Sequence, residues 1–63
     1  MNEAQKWARQ EIIRDRKNIE ELKEARHIAW EKKDMRACRD ITSSIRELNQ
    51  GIRNLMESYG VNV

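Results

Sequence analysis

Apolar residues recur at alternating intervals of three and four positions through the second half of the chain. They form one series: Cys38, Ile41, Ile45, Leu48, Ile52, Leu55 and Tyr59. This spacing places every member on one side of an α-helix. A helix with a single apolar stripe must bury that stripe against another element, so the pattern predicts helix–helix packing.

The first half carries a weaker stripe with the same alternation of spacing. Its members are Ala8, Ile12, Asp15, Ile19, Leu22, Arg26 and Ala29. Asn2 and Gln5 have the spacing of a capping box, and Asp34 and Gly60 are typical N-cap and C-cap residues. These signals predict an all-α fold with helices over about residues 3–32 and 35–59, and Val61 folded back onto the last turn.

The short connection at residues 32–34 predicts that the two helices are antiparallel neighbours. Folding the chain at Lys33 pairs the two stripes layer by layer, from Ala29 opposite Cys38 at the turn to Ala8 opposite Tyr59 at the termini. The expected fold is therefore an antiparallel αα-hairpin.

The positions beside the second stripe carry no charge, which is unusual for a two-stranded coil in water. They are Thr42, Asn49 and Met56 on one side, and Ser44, Gly51 and Ser58 on the other. The absence of charge at these positions predicts that a second chain covers the helix, so that two hairpins form a homodimeric four-helix bundle. All residues of the two stripes are then candidates for self-association, and Gly51 is explained by close approach of a helix.

Asp15 and Arg26 are the two charged members of the first stripe. They lie about 16 Å apart along one helix, too far to pair within a chain. In a dimer packed antiparallel about the layer of Ile19 and Leu48, Arg26 of one chain comes within one layer of Asp15 of the other. The pair is then predicted to select this orientation. The alternative is that both side chains extend to solvent from the edge of the stripe.

Length and composition limit the number of domains and the kinds of ligand that the chain is expected to bind. A chain of 63 residues makes one domain, spanning 1–63, and so short a chain needs a disulfide, a metal or self-association for comfortable stability. One Cys and one His provide neither an internal disulfide nor a metal-ligand set. The net charge of +2 is spread along the chain, and no apolar run is long enough to span a membrane. We therefore predict a cytoplasmic protein without metal, cofactor or membrane partner.

Catalysis finds little support in the sequence. His27 stands in a charged stretch with no nucleophile placed to use it. Cys38 belongs to the apolar stripe, which predicts a small buried side chain and not a reactive thiol. Ser43 and Ser44 have neither a base nor a Gly-rich turn beside them. We expect no catalytic residues and no enzyme activity.

Three apolar residues lie off the first stripe and are candidates for docking a protein partner: Ile13, Ile28 and Trp30. A patch of Ile28 and Trp30 near the turn is the most attractive of these, because Trp is favoured in binding hot spots. The simpler expectation for Trp30, and for Trp7 at the other end, is that each covers an end of the core.

Two polar lines are candidates for contact with nucleic acid. Gln10, Arg14 and Asn18 recur every four residues in the first helix, and Arg39, Arg46 and Arg53 recur every seven in the second. An Arg ridge of this kind could follow a phosphate backbone. The simpler interpretation is a solvated face, with Arg36–Asp40 and Arg53–Glu57 as ion pairs at i, i+4 spacing.

Two resemblances add expectations of their own. The run Lys33-Asp34-Met35-Arg36-Ala37-Cys38, continued through Ile45, Leu48 and Gly51, resembles a helix–turn–helix stretch of the small terminase subunits of tailed phages, which implies a phage or mobile-element origin. In length and in stripe positions the chain is also similar to the Rop-type RNA-binding hairpins of plasmids, which dimerise as antiparallel four-helix bundles. That resemblance implies RNA binding through Gln10, Arg14 and Asn18.

The function expected from these features is a small, non-enzymatic, homodimeric module that regulates, adapts or inhibits a larger protein partner. A nucleic-acid-binding dimer is the first alternative, and an assembly domain of a larger complex is the second. Salt dependence separates the first two, because only binding to phosphates weakens steeply as salt rises.

Overall fold

The computed structural model of the protein describes residues 2–62, which form two α-helices and no strand within that range. Helix α1 spans Glu3–Glu31 and helix α2 spans Met35–Tyr59. They pack as an antiparallel hairpin, in which Gln5 contacts Tyr59 at the termini and Arg26 contacts Thr42 near the turn. The predicted two-helix hairpin is confirmed, and α1 ends one residue earlier than predicted.

The predicted capping residues are confirmed at three helix ends. Asn2 Oδ1 accepts a hydrogen bond from Gln5 N at 2.8 Å, and Gln5 Oε1 accepts one from Asn2 N at 3.2 Å, which completes the capping box of α1. Asp34 Oδ1 accepts from Ala37 N at 3.1 Å at the start of α2. Gly60 ends α2 with φ of 63°, a left-handed conformation that glycine adopts without a β-carbon clash.

The turn between the helices is tight and contains one backbone conformation that is uncommon for its residue type. Lys33 has φ of 60°, in the left-handed region. This conformation accompanies two hydrogen bonds, in which Lys33 N donates to Trp30 O and Asp34 N donates to Ala29 O, both at 2.9 Å. These bonds satisfy carbonyls at the end of α1 that would otherwise lack a helical partner.

The core lies along the line where the two helices meet. Its buried residues are Ala8, Ile12, Ile19, Ala29, Ile45, Ile52 and Val61. Every member of the two predicted stripes is buried or half-buried, including the charged Asp15 and Arg26. The hydrogen bond between Arg26 and Thr42 and the ring contact between Trp7 and Tyr59 each lie one position from a predicted layer. The hydrogen bond from Cys38 Sγ to the Arg26 carbonyl lies three positions from the predicted layer of Ala29 and Cys38, so the observed register is within one helical turn of the predicted one.

The terminal end of the hairpin is closed by contacts between the first turns of α1 and the last residues of the chain. Gln5 Nε2 donates to Tyr59 O at 3.1 Å, and the Trp7 ring meets the Tyr59 ring edge-on at a centroid distance of 5.8 Å. Val61 turns back into the core, where it is 7% exposed, as predicted. This end is therefore held together although Trp7 itself remains about half exposed.

The opposite end differs from expectation. Trp30 is 64% exposed, so the prediction that it covers the core end is wrong. The physical reason is its position one residue past the buried Ala29, in the last turn of α1, where the neighbouring Met35 of α2 is itself exposed. Trp30 thus lies at the mouth of the turn and not beneath it.

As a whole the hairpin is a rod of 46 × 15 × 12 Å. It is a single layer of two helices, whereas most stable domains bury their apolar faces between two layers. In the part of the chain described, neither helix has an apolar stretch of the length needed to cross a membrane.

Candidate functional site

Three adjoining depressions at the turn end of the hairpin form one continuous surface feature, the turn-end groove. Their volumes are about 470, 630 and 380 Å³, and each shares lining residues with the other two. Four residues each line two of the three depressions, and we call these shared residues the floor of the groove: Trp30, Met35, Cys38 and Thr42. The lining also includes the basic residues Lys23, Arg26, Lys33, Arg39 and Arg46.

The groove exists because the turn brings the last residues of α1 beside the first residues of α2. Trp30 lies in the last turn of α1, and Met35 is the first residue of α2. The left-handed Lys33 between them reverses the chain within three residues. Two large apolar side chains, 64% and 42% exposed, thereby lie against the same depression.

A short chain of hydrogen bonds joins the helices at the floor of the groove. Arg26 Nη1 donates to Thr42 Oγ1 at 3.1 Å, and Thr42 Oγ1 donates to the Cys38 carbonyl at 2.8 Å. Cys38 Sγ in turn lies 3.7 Å from the Arg26 carbonyl, to which it donates. Arg26 is therefore oriented by its own chain, which fixes one positive charge at the groove.

The electrostatics of the groove are one-sided. None of the residues that line it is acidic. Lys23 pairs with Glu20 at 3.5 Å, and the lining residue His27 lies 2.7 Å from Glu31. Among residues 2–62, Lys33, Arg39 and Arg46 form no ion pair, so their charges are available to a ligand.

The docking residues predicted from the sequence are not brought together. Ile13, Ile28 and Trp30 are all more than half exposed, at 54%, 52% and 64%. Residues two positions apart in a helix point about 200° from each other, so Ile28 and Trp30 lie on different sides of α1 and cannot form one patch. The patch around Trp30 is completed by Met35 instead. Met35 lies outside the apolar series, and only the tight turn places it beside Trp30.

The polar line of α1 that was predicted to contact nucleic acid is exposed, but its one charge is paired. Gln10, Arg14 and Asn18 are exposed, but Arg14 Nη2 is held by both carboxylate oxygens of Glu11, at 2.8 and 2.9 Å. That pairing neutralises the only charge in the line.

The three residues of the Arg ridge on α2 do not share one surface feature. Arg39 and Arg46 line the groove and Arg53 does not. The ion pairs predicted on α2, Arg36 with Asp40 and Arg53 with Glu57, are absent from the described residues, although all four side chains are exposed.

A second surface lies across the hairpin from the groove. Take as the contact line Ile12, Ile19 and Arg26 on α1, and Cys38, Ile45 and Ile52 on α2. Residues four positions after these fall on one side of the line, and residues three positions after them fall on the other. Lys23, Trp30 and Thr42 occupy the first kind of position and share the groove. The second kind of position holds the half-buried Asp15, the buried Ala29 and a half-buried aliphatic row. We name this row the open face: Leu22, Ile41, Leu48 and Leu55.

On α2 the border of the open face carries small residues. Ser44, Gly51 and Ser58 follow it along α2. A β-carbon built on Gly51 would have no heavy atom within 4 Å outside its own stretch of helix. The sequence predicts that a helix approaches Gly51 closely. Within the hairpin that helix would be α1, and close approach of α1 does not account for this glycine.

No group of three or more His, Cys, Asp or Glu side chains within the described residues could hold a metal ion. His27 Nε2 lies 2.7 Å from Glu31 Oε1 on the same helix, and both side chains are exposed. Cys38 is half-buried, and its sulfur donates to a backbone carbonyl.

Comparison with known proteins adds no relative: no protein-family model, no curated protein and no solved structure matches this chain. The candidate function therefore rests on the two surfaces themselves.

Proposed function

We propose that the protein is a non-enzymatic protein-interaction module that acts as a homodimer, with two hairpins joined through their open faces into an antiparallel four-helix bundle. In this arrangement the turn-end groove of each chain stays on the outside. The biological role that fits is a small regulator, adaptor or inhibitor of a larger protein. A cytoplasmic location, where the lone Cys38 stays reduced, accords with it.

The observation that carries the proposal is the open face. Leu22, Ile41, Leu48 and Leu55 are only half-buried in the lone hairpin, although the last three belong to the most regular apolar pattern of the chain. Aliphatic side chains at heptad spacing gain most from complete burial by a second pair of helices. The small residues at the border of this face, Gly51 above all, leave space for that approach.

The exposed area supports the same conclusion. The accessible surface of the chain is 4997 Å². A compact monomer of 7.6 kDa is expected to expose about 4300 Å². The excess, roughly 700 Å², reflects the rod shape of the lone hairpin, in which no second layer covers the open face.

The proposal is tested by sedimentation equilibrium of the wild type beside Gly51→Glu. A charge at Ile45 would disrupt the hairpin itself, because Ile45 is only 7% exposed. Gly51 has open space in the hairpin, so a Glu there keeps the fold and places a charge only in the path of a second chain. We expect a dimeric wild type and a folded, monomeric Gly51→Glu.

Gln50→Glu is the matched control, because it adds the same charge at the adjacent, exposed position. It should remain a dimer, and circular dichroism should report the same helix content in all three proteins. A folded, monomeric wild type would overturn self-association, and a dimeric Gly51→Glu would overturn the open face as its surface.

The runner-up is a nucleic-acid-binding dimer, which the resemblance to Rop-type hairpins suggests. The pairing of Arg14 with Glu11 counts against the α1 line, whereas the unpaired Arg39 and Arg46 favour a basic contact on α2. Binding to an RNA hairpin that falls steeply between low and physiological salt would support this alternative.

A further inference from the structure

We infer that the turn-end groove binds an acidic, amphipathic segment of a partner protein, with an apolar side chain seated between Trp30 and Met35 and carboxylates against Lys33, Arg39 and Arg46. This inference deepens the proposed interaction role and rests on it. It does not depend on dimerisation, because every lining residue belongs to one chain.

Two exposed apolar side chains lie at the floor of the groove. Trp30 and Met35 are 64% and 42% exposed, and they line the same depression. Trp is enriched among the residues that dominate binding energy, and Met adapts its shape to different apolar partners. Neither side chain contributes to the core of the hairpin, so the fold itself gives no reason for placing them there.

The charge of the groove selects the partner. Five Lys or Arg side chains line it without one Asp or Glu among them, although the chain as a whole carries 13 basic and 11 acidic residues. Charge complementarity of this kind sets specificity and steers encounter more than it sets affinity. The ligand that complements both features is an apolar anchor flanked by Asp or Glu.

A nucleic acid satisfies the groove less well. Binding to single strands uses successive aromatic side chains on which bases stack, and the groove contains one aromatic residue, Trp30. The ion-pair partners Glu20 and Glu31 stand next to the lining residues Lys23 and His27. These carboxylates repel any anionic ligand on that side, so the carboxylates of a bound segment are expected beside Lys33, Arg39 and Arg46.

The experiment uses a fluorescein-labelled helical peptide of Glu and Leu, with the Leu residues at i, i+3, i+4 and i+7 spacing. A peptide of the same composition whose Leu residues share no face serves as the ligand control. Binding is followed by fluorescence anisotropy at physiological salt. In a Trp7→Phe background, Trp30 is the one remaining Trp, and its emission should shift to the blue when the peptide binds.

Arg39→Glu and Arg53→Glu form the matched pair of variants. Both reverse one exposed charge on the same seven-residue ridge of α2, but only Arg39 lines the groove. We expect Arg39→Glu and Trp30→Ala each to weaken binding about tenfold, and Arg53→Glu to change it by less than about twofold. Sedimentation equilibrium of Arg39→Glu should give the same oligomeric state as the wild type.

Three outcomes would overturn the inference. The first is absence of peptide binding to the folded wild type. The second is equal weakening by Arg39→Glu and Arg53→Glu, which would indicate a diffuse charge effect. The third is tight binding of an RNA oligonucleotide with no binding of the peptide. Because oligomeric state is measured separately, failure of the groove is distinguishable from failure of the dimer.

Discussion

Ile12 and Ile13 are neighbours of identical side chain that lie in opposite environments. Ile12 is 0% exposed and Ile13 is 54% exposed. A step of one residue turns a helix by about 100°, which is enough to move a side chain from the core to solvent. The pair therefore isolates the effect of burial from the effect of residue type.

We expect Ile12→Ala to reduce the free energy of unfolding by about 2–4 kcal/mol, because it removes buried methyl groups and leaves a cavity. Ile13→Ala should change it by less than about 0.5 kcal/mol, since a surface position has no cavity to open. Urea denaturation followed by circular dichroism measures both. Equal losses would mean that Ile13 is covered in solution, and would mark its face as a further interface.

At the scale of elements, the helices and the groove differ in how far sequence alone predicts them. The helix limits depend on local signals: the capping box of Asn2 and Gln5, the Asp34 cap and the left-handed Gly60. The groove depends on Met35 meeting Trp30 across the turn, a contact set by backbone geometry at Lys33 and not by any periodic pattern. Periodicity identifies what is buried, and it is silent about how exposed side chains group.

The turn supplies the second prediction. Lys33 holds φ of 60°, which costs an L-residue about 1 kcal/mol relative to glycine. Lys33→Gly should therefore raise the free energy of unfolding by up to about 1 kcal/mol. Lys32→Gly removes the same charge at a residue with ordinary helical φ, and should lower it by a few tenths to about 1 kcal/mol. Thermal melts of both variants measure the change in stability. Stabilisation by Lys32→Gly would contradict the assignment of the left-handed conformation to Lys33.

For the whole molecule, the decisive feature is that one layer of two helices leaves an aliphatic row half-buried. If the second layer is another copy of the chain, unfolding and dissociation are coupled, and stability depends on protein concentration. We expect the melting temperature to rise by about 5 °C for each tenfold increase in concentration. Gly51→Glu should show no such rise. A wild-type melting temperature independent of concentration would identify the hairpin as self-sufficient.

The antiparallel register has a consequence for how the chain folds. Residues that meet at the turn, such as Arg26 and Thr42, are close in sequence, whereas Gln5 and Tyr59 meet only after almost the whole chain has been gathered. The entropic cost of closing a loop rises with its length. Contacts between α1 and α2 are therefore expected to form first next to the turn and last at the termini. Amide hydrogens of helical residues next to the turn, such as Arg26 and Thr42, would then exchange most slowly, and those near Trp7 most rapidly. The turn-end groove would thus be the first part of the molecule to form and the last to open.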